Sequence, residues 1–151
     1  ALEPLLHALK FKRHDFLADA LSSLIEETLR ERGDLAFDAI VGVPMPRARE
    51  RSRGYNQAGL LADALSRRLA IRCDMTLLAR SGAREKQSTL PKRQRAGNVR
   101  GAFTASTLLK GTSILLVDDI STTGETIRAC ASALREAGAS RVCAVVVAKA
   151  S

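Results

Sequence analysis

A chain of 151 residues, 46% hydrophobic and 26% charged, has the length and composition of one folded domain, with no need of disulfide or metal staples. Its formal net charge of +8 marks polyanions as partners: nucleic acid, nucleotides or diphosphates. No apolar run approaches the roughly 18 residues of a membrane span, so no membrane partner is expected.

In chain order, a short helix is predicted over residues 3–10. A longer one follows over 15–33, where Phe16, Leu17, Ala20, Leu21, Leu24, Ile25 and Leu29 recur at helical spacing between Asp15 as N-cap and Gly33 as stop. "DAIVGV" (38–43) reads as a short buried strand ending at Pro44, and residues 56–70 as a second amphipathic helix with Leu60, Leu61, Ala64, Leu65 and Leu69 inward. "MTLLAR" (75–80) is predicted as a strand. Residues 81–101 are polar and basic, too rich in Lys, Arg and Gln for core. "TSILLVD" (112–118) reads as a central strand, 123–138 as a helix closed by Gly138, and 141–150 as the last strand. Strands alternating with helices predict an α/β fold, a mainly parallel sheet with helices on both faces, in a single domain over 1–151.

The chemistry concentrates in "ILLVDDISTTGET" (114–126). In open α/β sheets ligands bind at the carboxyl ends of the strands, where Asp118 and Asp119 fall. Neighbouring carboxylates repel and want donors between them, and the vicinal hydroxyls of a ribose supply two. The following residues, Thr122, Thr123, Gly124, Glu125 and Thr126, open a helix, whose unpaired N–H groups and partial positive charge suit a monophosphate. Diol acceptors beside a phosphate cradle describe a ribose 5-phosphate. A Walker A loop would need GxxxxGK[ST], and a dinucleotide fold GxGxxG; neither is present. A receiver domain needs most of its fold after the acidic pair, and too little chain follows.

This stretch resembles the phosphoribosyl-pyrophosphate (PRPP) motif of type I phosphoribosyltransferases. "VPMPRARERSRGYNQAGLLADAL" (43–65) and "KQSTLPKRQRAGNVRGAF" (86–103) resemble the hallmark and active-site loop of the competence-associated ComF family. The resemblance implies that Asp118 and Asp119 hold the ribose hydroxyls and that 122–126 wrap the 5-phosphate. It implies a pyrophosphate loop of Pro44, Met45, Pro46 and Arg47. Residues of about 82–100 would close over the site, with Arg93 catalytic and Gln87, like Arg53, touching substrate. Mg2+ would arrive with PRPP, held by ligand oxygens and waters. Two departures stand out. Family members commonly carry an N-terminal cysteine-rich zinc module, and this chain shows none. Thr122 stands where some purine-salvage relatives place an acidic proton acceptor.

Cys73, Cys130 and Cys143 form no CxxC pair, and with His7 and His14 they build no zinc site. An odd count without a secretion signal favours a cytoplasmic setting. Arg47, Arg49, Arg51 and Arg53 alternate in one basic loop; Arg80, Arg84, Lys86, Lys92, Arg93, Arg95 and Arg100 crowd a second. Two or three of these suffice for pyrophosphate. The rest are a solvated face or a track for single-stranded DNA. With 3% aromatics, that binding would be mostly electrostatic; Tyr55 is the one residue on offer for stacking, and packing beneath the loop is its other reading. An acceptor hood would come from residues of about 1–35 or from a segment outside this chain. A homodimer stays open.

Overall fold

The computed structural model describes residues 14–81, 101–105 and 108–149. The predicted helix over 3–10 and the basic segment 82–100, with Gln87 and Arg93, lie outside the described residues.

Helix α1 (His14–Glu31) forms where Leu17, Leu21, Ile25 and Leu29 fall four residues apart, and that stripe is buried. Strand β1 (Ala39–Gly42) is buried at every position. It leads through a short helix α2 (Arg47–Arg53) to α3 (Gln57–Leu69), which buries Leu61, Ala62, Ala64 and Leu65 against α1 and the sheet. The Arg68 guanidinium fastens α3 to α1, donating to Asp19 Oδ2 (2.9 Å), Ser22 Oγ (3.1 Å) and Glu26 Oε2 (3.3 Å).

Strands β4 (Ser113–Ser121) and β5 (Arg141–Lys149) flank helix α4 (Glu125–Glu136) in the chain. The main sheet runs in the order β1-β4-β5, all parallel, with Gly42 opposite Val117 and Val117 opposite Val145. Alternation along β4 sorts the layers. Leu115 and Val117 pack with α1 and α3; Ile114 and Leu116 pack with Cys130, Ala133 and Leu134 of α4. Helices therefore cover both faces, as the unbroken apolar strands require.

Two expectations are corrected. Residues 75–80 are not one strand of the main sheet. Asp74 accepts from the Thr76 N–H (3.0 Å) and turns Met75–Leu77 into a 3-10 helix. Only β2 (Leu78–Arg80) extends, antiparallel to β3 (Phe103–Ala105) in a separate two-stranded sheet. Residues 47–53 are not a loop but α2. Pro46 presets its entry, its carbonyl accepting from Arg49 and Glu50, and Gly54 closes it in the left-handed conformation (φ 87°). A helix divides the alternating arginines between two sides of its axis, Arg47 with Arg51 and Arg49 with Arg53, rather than in one rank.

Candidate functional site

The helix that follows β1 packs on one face of the sheet, and the helix that follows β4 packs on the other. The two chains therefore part at the carboxyl ends of β1 and β4, and a crevice opens between them: a topological switch point. The last rung between these strands is the Val43 N–H donating to the Val117 carbonyl (2.8 Å). Beyond it β1 turns away at Pro44, while β4 stays paired to β5 as far as Ser121 opposite Lys149. Gly42 is the last residue of β1 in register, opposite Val117, so the chain leaves β1 through Val43 and Pro44 at the level where β4 passes into Asp118 and Asp119. The two stretches singled out by sequence, 44–47 and 118–126, are brought together.

The strand outlasts its apolar run by four residues, because β5 supplies partners for Asp118, Ile120 and Ser121. The two acids thus remain within the strand, and the pleat divides them. Asp118 continues the α4 face and is only 8% exposed. Burial, then the charge of Asp119, pushes its carboxyl up to about 7. Asp118 in turn helps burial push the Cys130 thiol up to about 12. Asp119 is half-buried. Its N–H donates to Asp118 Oδ1 (2.9 Å), and its own Oδ1 accepts from the Ile120 N–H (2.9 Å). Each carboxylate therefore keeps one oxygen outside these backbone bonds.

Thr122 and Thr123 are exposed, and Gly124 takes a left-handed conformation (φ 77°) as the N-cap of α4. The Glu125 N–H donates a long bond to Thr123 Oγ1 (3.4 Å), and the N-cap Gly124 has no side chain to cap the rest. The other first-turn N–H groups are therefore available to an anion.

Asn56 caps α3, its Oδ1 accepting from the Ala58 N–H (3.1 Å), and it also donates from Nδ2 to the Val43 carbonyl (3.0 Å). The exit from β1 is thereby pinned to the start of α3. Tyr55 is half-buried, and burial raises its phenol; it does not stand out as a stacking platform.

A cleft of about 1200 Å³ lies on the α3 side of residues 44–47, walled by Met45, Arg47, Arg49, Asn56, Leu60, Asp63, Met75 and Arg80. Arg80 is steadied there over the Phe103 ring, 5.2 Å from its centroid. Among the described residues neither acid nor the 122–126 loop lines this cleft. The switch point has acceptors, an open helix start and a glycine turn in one place; the cleft has volume without that convergence. We take the switch point as the site and residues 44–47 as the wall it shares with the cleft. Arg53, assigned to substrate by resemblance, lies at the far end of α2 and outside the cleft's described lining.

A parallel sheet with helices on both faces, an acidic pair at the end of its central strand and a phosphate-type loop behind it define a type I phosphoribosyltransferase-like domain. The phosphoribosyl transferase domain family matches residues 8–151. The "DNA utilization protein YhgH" of Escherichia coli K12 is 38% identical over 145 residues, 93% of this chain and 64% of that protein. "Competence protein F" of Haemophilus influenzae is 33% identical over 108 residues, covering 70% of this chain and 47% of that one. "Competence protein ComFC" of Bacillus subtilis is 31% identical over 132 residues, covering 85% and 51%. The chain thus spans about two thirds or less of these relatives. Among solved structures, the glutamine PRPP amidotransferase of B. subtilis superposes with a TM-score of 0.62 at 19% identity, over 95% of this chain and 30% of that one. The purine phosphoribosyltransferase of Pyrococcus horikoshii gives 0.54 at 20%, over 87% and 71%. The chain belongs to the phosphoribosyl transferase domain family, in its competence-associated ComF branch.

Proposed function

We propose that this chain binds PRPP at the β1–β4 switch point and transfers its phosphoribosyl group to an acceptor, releasing pyrophosphate. The observation that carries this reading is the register that ends β1 at Gly42 opposite Val117, so that the exit of β1 and the acidic pair of β4 follow the same rung of the sheet. One short crevice then offers a loop for the leaving group, acceptors for the ribose hydroxyls and N–H donors for the 5-phosphate. Asp118 and Asp119 orient the sugar. Residues 44–47, with Arg47 and the nearby Arg80, meet the charge that grows on the departing pyrophosphate. Mg2+ would neutralise part of the diphosphate. In this reading the ion keeps most of its waters and travels with the ligand. With Thr122 where some relatives place an acid, positioning and electrostatics carry most of the chemistry. No helix of the described residues is long and apolar enough to cross a membrane, and unpaired thiols suit work in the cytoplasm.

Calorimetric titration with Mg–PRPP tests the binding: saturable heat that vanishes in Asp119→Asn is expected, and no heat in wild type defeats the proposal. Pyrophosphate release with a panel of nucleobases and amines tests turnover.

A second reading is a non-catalytic PRPP sensor that holds single-stranded DNA. What favours it is α2, which buries none of its residues and exposes Arg47, Arg49 and Arg51. Its signature is fluorescence anisotropy of labelled oligomers with a log–log salt slope of about −0.7 per phosphate neutralised. Arg49→Gln/Arg51→Gln should weaken binding and lower that slope by up to about 1.4 units. An oligomer that stays unbound at low salt removes this alternative.

A further inference from the structure

Helix α4 begins with a charge in the wrong place. The N-terminus of a helix carries partial positive charge, and a cation in the first turn is disfavoured there. Arg128 nevertheless sits four residues after the N-cap Gly124, and its backbone N–H makes the first helical bond to the Gly124 carbonyl (3.0 Å). Helical side chains lean toward the N-terminus. The guanidinium accordingly folds back over the 122–124 turn, Nη2 donating to the Thr123 carbonyl at 2.6 Å. It lies against the bare α-carbon of Gly124, where a Cβ would stand 3.2 Å from Nη2.

No carboxylate answers this cation. Arg128 makes no ion pair among the described residues, although Glu125 is three residues away; in this it matches Arg135 at the other end of the helix, and what sets it apart is its fold back over the turn. Arg128 is exposed, and one bond to Thr123 leaves most of its N–H fork unused. Two positive elements, the open helix start and the guanidinium, thus converge on one turn. A doubly charged tetrahedral anion relieves both.

We infer that Arg128 is a direct ligand of the sugar's 5-phosphate, clamping it against the α4 N-terminus, with the Thr123 carbonyl holding the guanidinium in place. The inference rests on the PRPP reading and adds a residue to its site. It distinguishes the two ends of the ligand: Arg128 serves the 5-phosphate and not the diphosphate at C1.

Titration calorimetry with ribose 5-phosphate, Mg–PRPP and magnesium pyrophosphate, on wild type, Arg128→Gln, Arg128→Lys and the control Arg135→Gln, tests it. Arg128→Gln should bind ribose 5-phosphate and PRPP about tenfold more weakly and pyrophosphate unchanged. Arg128→Lys, which keeps the charge without the planar fork, should fall between. Equal ribose 5-phosphate affinity in Arg128→Gln and wild type overturns the inference. So does a parallel loss for all three ligands, which would leave Arg128 only shaping the loop. Wild type that binds none of the three defeats the PRPP reading itself, a failure visible before any variant is compared.

Discussion

Asparagine in place of Asp118 is expected to stabilise the protein at pH 8 by on the order of 2–4 kcal/mol while weakening PRPP by on the order of tenfold to a hundredfold. The carboxyl is nearly covered, and burial with the neighbouring Asp119 raises it from an ordinary 3.8 to about 7. Between these values the folded protein holds a proton that the unfolded chain has released. Stability therefore falls as pH rises from about 4 to about 7 and levels off above. The amide keeps an oxygen for the Asp119 N–H, which Asp118 Oδ1 now accepts (2.9 Å), so the backbone bond survives and the buried charge goes. Urea unfolding of both proteins at pH 5 and pH 8 measures the effect. Equal pH slopes in wild type and variant would refute it. For PRPP the sign reverses. If the ionised carboxylate accepts the ribose hydroxyl, wild-type affinity climbs through about pH 7, and that climb is lost in the variant. A residue that costs stability where it gains binding is the mark of a functional site.

The elements that bury an apolar stripe were legible in the sequence. α1, α3, α4, β1, β4 and β5 lie where periodicity put them, within three residues at their ends. What escaped has physical causes. α2 buries nothing, so it has no hydrophobic period to read; Pro46 and Gly54 mark its limits, but among arginines they pass for turn residues. β2 finds its partner in β3, across the basic segment, and pattern alone cannot announce a pairing at that range. The acidic pair was placed at a strand end from the loss of apolar residues. The end is set instead by how far β5 runs, which keeps both acids within the strand, and the pleat then covers Asp118 and leaves Asp119 half-buried. Arg128 had a readable signal, a cation where the helix dipole disfavours one, but it was masked by the louder threonines and glycine before it. Assignments to Arg93 and Gln87 rest on resemblance alone.

The site also depends on a contact far less visible than its acids. Gly42 ends β1, and a Cβ there would stand 2.7 Å from both the carbonyl carbon and oxygen of Ala58 and 2.9 Å from the Gly59 nitrogen. All three are backbone atoms of the first turns of α3, so nothing flexible can yield. Gly42→Ala must therefore push helix from strand. Overpacking of this kind costs about 1–3 kcal/mol and sometimes more, and we place this substitution at about 3 kcal/mol or above, a fall of about 6–12 °C in thermal midpoint for a domain of this size. The displacement also strains the Asn56 bond to the Val43 carbonyl (3.0 Å) and the Gly42 N–H contact with the Met75 sulfur (3.2 Å). Both support the exit of β1 into residues 44–47. PRPP affinity should consequently drop even below the melting transition, where the chain is still folded. Gly59→Ala is the internal control. Its Cβ would meet Met75 Cε at 3.5 Å, an ordinary contact, and alanine inside a helix gains about 0.5–1 kcal/mol over glycine. Thermal unfolding of the two variants should move in opposite directions. A Gly42→Ala protein as stable as wild type would show that α3 does not seat on β1 this closely, and the crevice at the switch point would lose the wall that shapes it.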